Sequence, residues 1–364
     1  MIGILGGGQL GCMLAESLYR LGATVAVYEP DPQAPLCQRT RYVTNAAWND
    51  IEALRKFSQQ CSRVTYEFEN VESEPLQCME FQLMPSMAVL AVAQHRAREK
   101  RFLRENGLPH VAFAEHVPDH PAILKTVRGG YDGKGQMRWT PGETPLSGPL
   151  VAEEIIDIEV EASCIVARSK TEEGVFPVFE NEHRNHILDT TLVPASLPDE
   201  VLAAVQDVAR ETARKLDVTG LLTTEFFLTR HQPRRSPALQ VDDWYLMVNE
   251  LAPRPHNSGH VTRQACTFSQ FDALARILLD VPLGQPRLLP GVWGMGNLLG
   301  EVYGTRSKLD LTPWAEHPTV REVCLYGKTQ PRAGRKMGHF IVHGESRTAG
   351  LAEIAAFRAA LTKT

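Results

Sequence analysis

Short apolar runs alternate with stretches of helical period over the first 90 or so residues. "IGIL" at Ile2–Leu5, "TVAVY" at 24–28 and "RVTYE" at 63–67 each read as a strand. Leu10, Leu14, Leu18 and Leu21 recur at helical spacing between the first two, and Gly22 supplies a stop. Strand–helix–strand order predicts a parallel sheet. This grammar fades near residue 90, where a basic helix is expected over 92–106, ended by Gly107-Leu108-Pro109. "AILK" (122–125), "LVAEEII" (150–156), "EASCIVA" (161–167), "GVFPVF" (174–179) and "ILDTTLV" (187–193) then predict short strands. An amphipathic helix is expected over 199–216. "LLTTEFFL" (221–228) and "WYLMVNEL" (244–251) are further strands, joined by a Pro- and Arg-rich surface excursion over 229–243. Helices at 268–279 and about 349–361 complete the pattern, with a few strands between them.

At 364 residues the chain suits two or three domains rather than one core. A net charge of −5 argues against a general electrostatic grip on nucleic acid. No apolar run reaches the 18 or so residues of a membrane span, and "MIGILGGG" lacks the basic start of a signal peptide. Cys12, Cys37, Cys61, Cys78, Cys164, Cys266 and Cys324 include no C-x-x-C pair. They read as free thiols in a reducing compartment, which places the protein in the cytoplasm.

Five stretches carry candidate chemistry. "ILGGGQLG" (4–11) fits G-x-G-x-x-G through Gly6, Gly8 and Gly11, and Glu29 stands where a dinucleotide site has its acid. This is the dehydrogenase reading. "KTVRGGYDGKGQ" (125–136) offers glycines for close backbone approach to an anion and lysines to neutralise it; a cationic hairpin tip reads equally well. Glu225 and Glu250 sit in apolar strand contexts, where a carboxylate is costly unless paired or metal-bound. With Asn249 they suit magnesium, although each taken singly suits a salt bridge. "APRPHNSGH" (252–260) concentrates Arg254, His256, Asn257, Ser258 and His260, as an anionic substrate or a proton transfer requires. "KTQPRAGRKMGH" (328–339) is a second cationic loop.

Together, "GGGQLG", "TYEFENV" (65–71), "GGYDGKGQ", "NELAPRPHNSGH" (249–260) and "RKMGH" (335–339) resemble, in order and over nearly the whole chain, the 5-(carboxyamino)imidazole ribonucleotide synthases. These are ATP-grasp carboxylating ligases of purine synthesis. The resemblance implies an α/β and α+β architecture: a Rossmann-like pre-ATP-grasp domain at 1–92, an ATP-grasp domain at 93–290 and a small β-rich domain at 291–364. It implies ATP bound by Arg96, Lys125, Gly130, Tyr131, Asp132, Gly133, Lys134, Gly135, Gln136, Glu153, Glu154, Ile155, Ile156, Glu161, His183, Asn249 and Glu250. Glu225, Glu250 and Asn249 would hold two Mg2+ ions, with Mn2+ as a substitute. Gln9, Leu10, Glu69, Tyr131, Asp132, Lys134, Lys328 and Arg335 would hold aminoimidazole ribonucleotide. Arg254, His256 and Lys328 would face the bicarbonate-derived group.

The implied chemistry is bicarbonate attack on the γ-phosphorus of ATP, then transfer of the carboxyl group to the 5-amino group of the ribonucleotide. A cytoplasmic homodimer with small-molecule substrates, no nucleic acid and no membrane completes the expectation. The rivals are another ATP-grasp ligase, a dehydrogenase and a nucleotide-binding regulator without turnover. Under the resemblance "GGGQLG" serves the ribonucleotide, and Glu29 only ends a strand.

Overall fold

The computed structural model describes residues 1–130 and 134–363. Tyr131, Asp132 and Gly133, expected in the phosphate loop, lie outside the described residues. Among those residues the strands form three sheets. The first is parallel, in the order Tyr42–Thr44, Val25–Tyr28, Ile2–Leu5, Arg63–Tyr66. Helix Gln9–Arg20 packs on it through buried Leu14 and Leu18. Leu21 caps that helix and is 46% exposed, so the apolar stripe is shorter than its leucine spacing predicts.

The second sheet is antiparallel and long. Its order is Leu239–Val241, Trp244–Ala252, Gly220–Thr229, Val160–Arg168, Phe179–Arg184, Ile187–Val193, Val292–Leu299, Lys336–Gly344, Val320–Leu325. Strand Val292–Leu299 pairs with Ile187–Val193, Gly296 facing Thr190. The C-terminal strands therefore extend the central sheet. The third sheet, Phe113–Ala114, Leu150–Glu153, Ala122–Thr126 and Gln136–Trp139, is smaller and antiparallel. One core runs through several elements: Ile4 and Leu14, Ile165 and Phe179, Phe271 and Leu274, Met295 and Ile341. Each such side chain contributes about 1.5–3 kcal/mol on burial, so the segments are fixed to one another.

Three local expectations shift. The helix expected over 92–106 is two helices, Met87–Ala93 and Arg96–Glu105. His95 between them is extended, and the Arg96 N–H donates to Val127 O (3.0 Å), tying the break to the phosphate loop. The strand expected over 174–179 divides into Glu173–Val175 and Phe179–Arg184 around Pro177, which has no N–H for a ladder. The strand expected over 150–156 stops at Glu153, where a connector to the large sheet begins.

The opening loop answers the dehydrogenase reading. The Gly7 N–H donates to Glu29 Oε2 (2.8 Å) and the Gly11 N–H to Glu67 Oε2 (2.7 Å). Gly8 N–H donates to the other oxygen of Glu67. The helix N-terminus is an anion site, and the chain's own carboxylates fill it, leaving those amides unavailable to a dinucleotide pyrophosphate. A Cβ on Gly8 would stand 2.5 Å from Glu67 Oε1. Gly8→Ala is expected to lower stability by about 1–3 kcal/mol, because a half-buried carboxylate loses its donor. Urea unfolding checks it; an unchanged midpoint would show that Glu67 relaxes at no cost.

Candidate active site

A cleft of about 840 Å³ opens between the large and small sheets and reaches the first sheet. Its lining brings together Gln9, Leu10, Glu69, Arg96, Lys125, Lys134, Gln136, Glu153, Glu154, Ile155, Ile156, Glu161, His183, Glu225, Asn249, Glu250, Arg254 and His256. Residues far apart in sequence thus converge on one volume, as a substrate site requires.

One wall is a buried charge cluster. Glu153 Oε2 lies 2.7 Å from Lys125 Nζ, and its Oε1 lies 3.0 Å from Lys100 Nζ. Lys100 also donates to the Asn249 carbonyl (2.8 Å), and Lys125 to Asn249 Oδ1 (3.3 Å). Burial alone would raise the Glu153 pKa; the two lysines outweigh it and hold the carboxyl at about 2. The Glu153 side chain, expected to bind ATP, is therefore committed to positioning lysines. Lys100, in an apparently solvated basic helix, is 1% exposed. Arg96 donates to Thr126 O and Gly130 O (2.9 Å each) and so braces the base of the phosphate loop. A Cβ on Gly130 would meet Arg96 Nη1 at 2.8 Å, and Gly135 has φ +67°.

The opposite wall carries the acids. Glu225 and Glu250 face each other across adjacent antiparallel strands, beside a bulge between Glu225 and Phe226. Bulges re-aim side chains, and this one lies at the cleft. Burial raises the Glu250 pKa, and the like charge of Glu225 raises it further. The Glu225 pKa is lowered: burial opposes this, but the hydrogen bond from His256, with Nε2 2.9 Å from Glu225 Oε1, and neighbouring positive charge prevail. Glu99 also comes here, accepting from the Leu251 N–H at 2.9 Å; burial and then Glu250 push its pKa to about 8. Two facing half-buried carboxylates beside an amide oxygen are a donor set for a hard divalent cation. His183 Nδ1 lies 2.6 Å from Glu161 Oε2, and its pKa is raised because that carboxylate outweighs burial.

The end near the first sheet is a paired cluster. The Arg254 guanidinium holds Glu69 through two nitrogens, Nη2 to Oε1 at 2.9 Å. Burial raises the Glu69 pKa, yet Arg254 leaves it lowered overall. Lys328 and Arg335 do not line the cleft. Lys328 donates to Lys336 O (2.9 Å) while its charge acts on Glu67, and Arg335 donates to Gln330 O (2.9 Å). From the same loop it is Lys336 that lines the cleft. His260 is fully buried and stacks on His339 with ring centres 4.6 Å apart, so it belongs to the core.

The surface excursion over 229–243 is also anchored here. Glu154 accepts from the backbone N–H groups of Arg234 (2.8 Å) and Ser236 (2.8 Å) and from Ser236 Oγ (2.6 Å). Glu159 accepts from the Arg230 N–H at 2.7 Å. The excursion thereby clamps the connector between the two sheets, and part of it, Leu239–Val241, adds an edge strand.

Known proteins share this arrangement. The ribonucleotide synthetase preATP-grasp domain family matches residues 1–94, the ATP-grasp domain family 93–271 and the phosphoribosylaminoimidazole carboxylase C-terminal domain family 294–353. The chain is 36% identical to the N5-carboxyaminoimidazole ribonucleotide synthase of Bacillus subtilis, covering 93% of this chain and 90% of that protein. It is 34% identical to the bifunctional purine synthesis protein purC/E of Dictyostelium discoideum over 93% of this chain, and spans 36% of that longer protein. A crystal structure of the Aspergillus clavatus N5-carboxyaminoimidazole synthase with ADP and 5-aminoimidazole ribonucleotide superposes with a TM-score of 0.82 at 26% identity, covering 100% of this chain and 98% of that one. On this identity and coverage, the chain belongs to the N5-carboxyaminoimidazole ribonucleotide synthase family and has its ATP-grasp fold, between a preATP-grasp domain and the C-terminal domain of that family.

Proposed function

We propose that this chain carboxylates the 5-amino group of 5-aminoimidazole ribonucleotide with ATP and bicarbonate, in purine synthesis, giving the carboxyamino product, ADP and phosphate. The observation that carries the reading is the convergence, in one cleft, of Lys125, facing Glu225 and Glu250, and the Arg254–His256 loop. Lys125, Lys134 and the amides of the loop around Gly130 and Gly135 are assigned to the phosphates, and Arg96 to the base of that loop. The backbone at 155–156 is assigned to adenine, since the Glu153 and Glu154 side chains are engaged elsewhere. Glu161 and His183 are assigned to the ribose side. Gln9, Leu10 and Glu69 suit the ribonucleotide, with Lys328 and Arg335 acting from behind the wall. The units 1–92, 93–290 and 291–364 are read as the corresponding domains of the family.

Glu225, Glu250 and Asn249 would hold Mg2+, whose charge would offset that developing on the β–γ bridging oxygen of ATP. A bicarbonate oxygen attacks the γ-phosphorus as the bond to ADP breaks. The amine nitrogen then attacks the carboxyl carbon of carboxyphosphate, phosphate departs, and the amine proton leaves with it. Carboxyphosphate demands exclusion of water. Gln136 of the small sheet, 3.1 Å from His186 Nδ1 at the tip of a large-sheet hairpin, supports closure across the cleft. We also read the protein as a cytoplasmic homodimer. Seven free cysteines suit a reducing compartment, no helix among the described residues is long and apolar enough to cross a membrane, and the dimer rests on the family resemblance.

Oxygen-18 bicarbonate tests the route. Turnover brief enough to limit exchange with water is expected to leave one labelled oxygen in each phosphate released, because the attacking oxygen stays on phosphorus. Unlabelled phosphate would remove carboxyphosphate from the mechanism.

A further inference from the structure

We infer that a buried chain of hydroxyl and amide groups, Thr191–Asn181–Ser163–Ser258, holds His256 as its Nε2–H tautomer, so that the ring presents a hydrogen-bond donor rather than a lone pair to the cleft. Thr191, Asn181 and Ser163 lie on three adjacent strands, Ile187–Val193, Phe179–Arg184 and Val160–Arg168. Ser258 opens the short helical turn after the Arg254–His256 loop. Thr191, Ser163 and Ser258 are fully buried and Asn181 is 8% exposed, so each polar atom must find a partner inside the protein.

The partners form one continuous line. Thr191 Oγ1 donates to Asn181 Oδ1 (3.0 Å), and Asn181 Nδ2 donates to Ser163 Oγ (2.9 Å). Ser163 Oγ lies 2.8 Å from Ser258 Oγ, and Ser258 Oγ lies 2.9 Å from His256 Nδ1. At the far side of the ring, Nε2 is 2.9 Å from Glu225 Oε1.

The direction of the protons follows from the two ends. A carboxylate only accepts, so His256 Nε2 carries the hydrogen that points at Glu225. At the inner end Ser163 Oγ accepts from Asn181 Nδ2, and the neighbour within reach of its own hydrogen is Ser258 Oγ. Ser258 then has its hydrogen free for His256 Nδ1, which must be bare to accept it. The Ser258 backbone N–H also points at Nδ1 (3.4 Å), which again needs a lone pair there. Every donor in the line faces the cleft. Reversing the arrow would turn the Asn181 amide around and leave Ser258 and its own N–H both without use for Nδ1. A second ring nitrogen fixed by a hydrogen bond is how proteins choose a histidine tautomer.

This deepens the carboxylase reading and rests on it for its kinetic consequence. A ring whose Nε2–H is committed to Glu225 fixes that carboxylate at the cleft wall during transfer. It cannot take the amine proton, which is consistent with that proton leaving on phosphate. Thr191, Asn181, Ser163 and Ser258 are then positioning residues.

Long-range proton–nitrogen NMR on histidine-labelled protein, free of nucleotide and metal, reads the tautomer directly, with the His256 signals assigned from His256→Gln. The expected pattern is a bare Nδ1 and a protonated Nε2. Ser163→Ala breaks the line away from the cleft and is expected to mix the tautomers. It should lower kcat about tenfold while the KM for ATP stays within about twofold, because binding precedes the step affected. Should Ser163→Ala fold poorly, Thr191→Val removes the first donor at nearly constant shape and is expected to act likewise, and Thr191→Ser to restore both readings. A wild-type ring protonated at Nδ1 overturns the inference, and so does a variant that keeps the Nε2–H pattern whether or not kcat falls. The NMR reading needs no substrate. A wild-type protein with the expected tautomer but no carboxylation would overturn the proposed function and leave the tautomer standing.

Discussion

Glu250→Gln is expected to cost at least about a thousandfold in turnover while making the metal-free protein more stable. The two effects share one cause. Glu250 is half-buried opposite Glu225, and both desolvation and that like charge raise its pKa. An acid whose folded pKa lies above its unfolded value destabilises the folded state at pH values where it is ionised. Replacing it by a neutral amide of the same shape removes that repulsion. The amide also removes the charge that a divalent cation would balance, and charge stabilisation by such an ion is worth several kcal/mol, about 1.4 kcal/mol for each tenfold in rate. Thermal unfolding in chelator and steady-state turnover in excess magnesium check the two arms. A variant with near-normal turnover would take Glu250 out of the site. One that unfolds more easily in chelator would show that the carboxylate serves the fold and that a cation is not what it awaits.

That pairing was legible in part. Two glutamates in apolar strands marked themselves by their context, and the structure puts them face to face through a bulge that no periodicity announces. The strands at 187–193 and 221–228 and the helix expected over 199–216 were readable because their apolar period persists over the whole element. The excursion at 229–243 could be recognised as irregular, but its use could not: Glu154, which it clamps, is remote in sequence and exposed in type. The resemblance assigns Lys328 and Arg335, which lie in the loop before strand Lys336–Gly344, whereas Lys336, the first residue of that strand, is the one that lines the cleft. In sequence Glu67 is only the end of a strand, and the amides it occupies make the glycine pattern a misleading signal for a dinucleotide. Lys100 left one trace. It falls on the stripe Ala97, Lys100, Leu103, where a helix of that period calls for an apolar side chain, and all three are buried.

Removing Lys100 is therefore expected to be among the most damaging single changes. Lys100→Met keeps most of the volume and the helix propensity but leaves Glu153 with Lys125 alone, and the Asn249 carbonyl without its donor. Breaking one side of a buried ion pair costs about 3–5 kcal/mol, because the surviving charge stays desolvated. The loss would fall on the joint between helix Arg96–Glu105, the small sheet at Glu153 and the large sheet at Asn249, so the cleft should loosen where Lys125 is aimed. The pH dependence identifies the cause. Glu153 titrates at about 2 in the folded protein, against an ordinary value of 4.5. Its contribution is complete above the ordinary carboxylate pKa and is lost as the pH falls through that value toward the folded one. The stability gap between wild type and Lys100→Met should thus be widest at neutral pH and narrow as the pH falls from about 5 toward 2. Adding Glu153→Gln to Lys100→Met should recover part of the loss, since no unpaired carboxylate then remains, and the coupling is read from a double-mutant cycle in urea. A gap independent of pH, with no recovery in the double variant, would mean that Lys100 acts through packing of its stem and not through its charge.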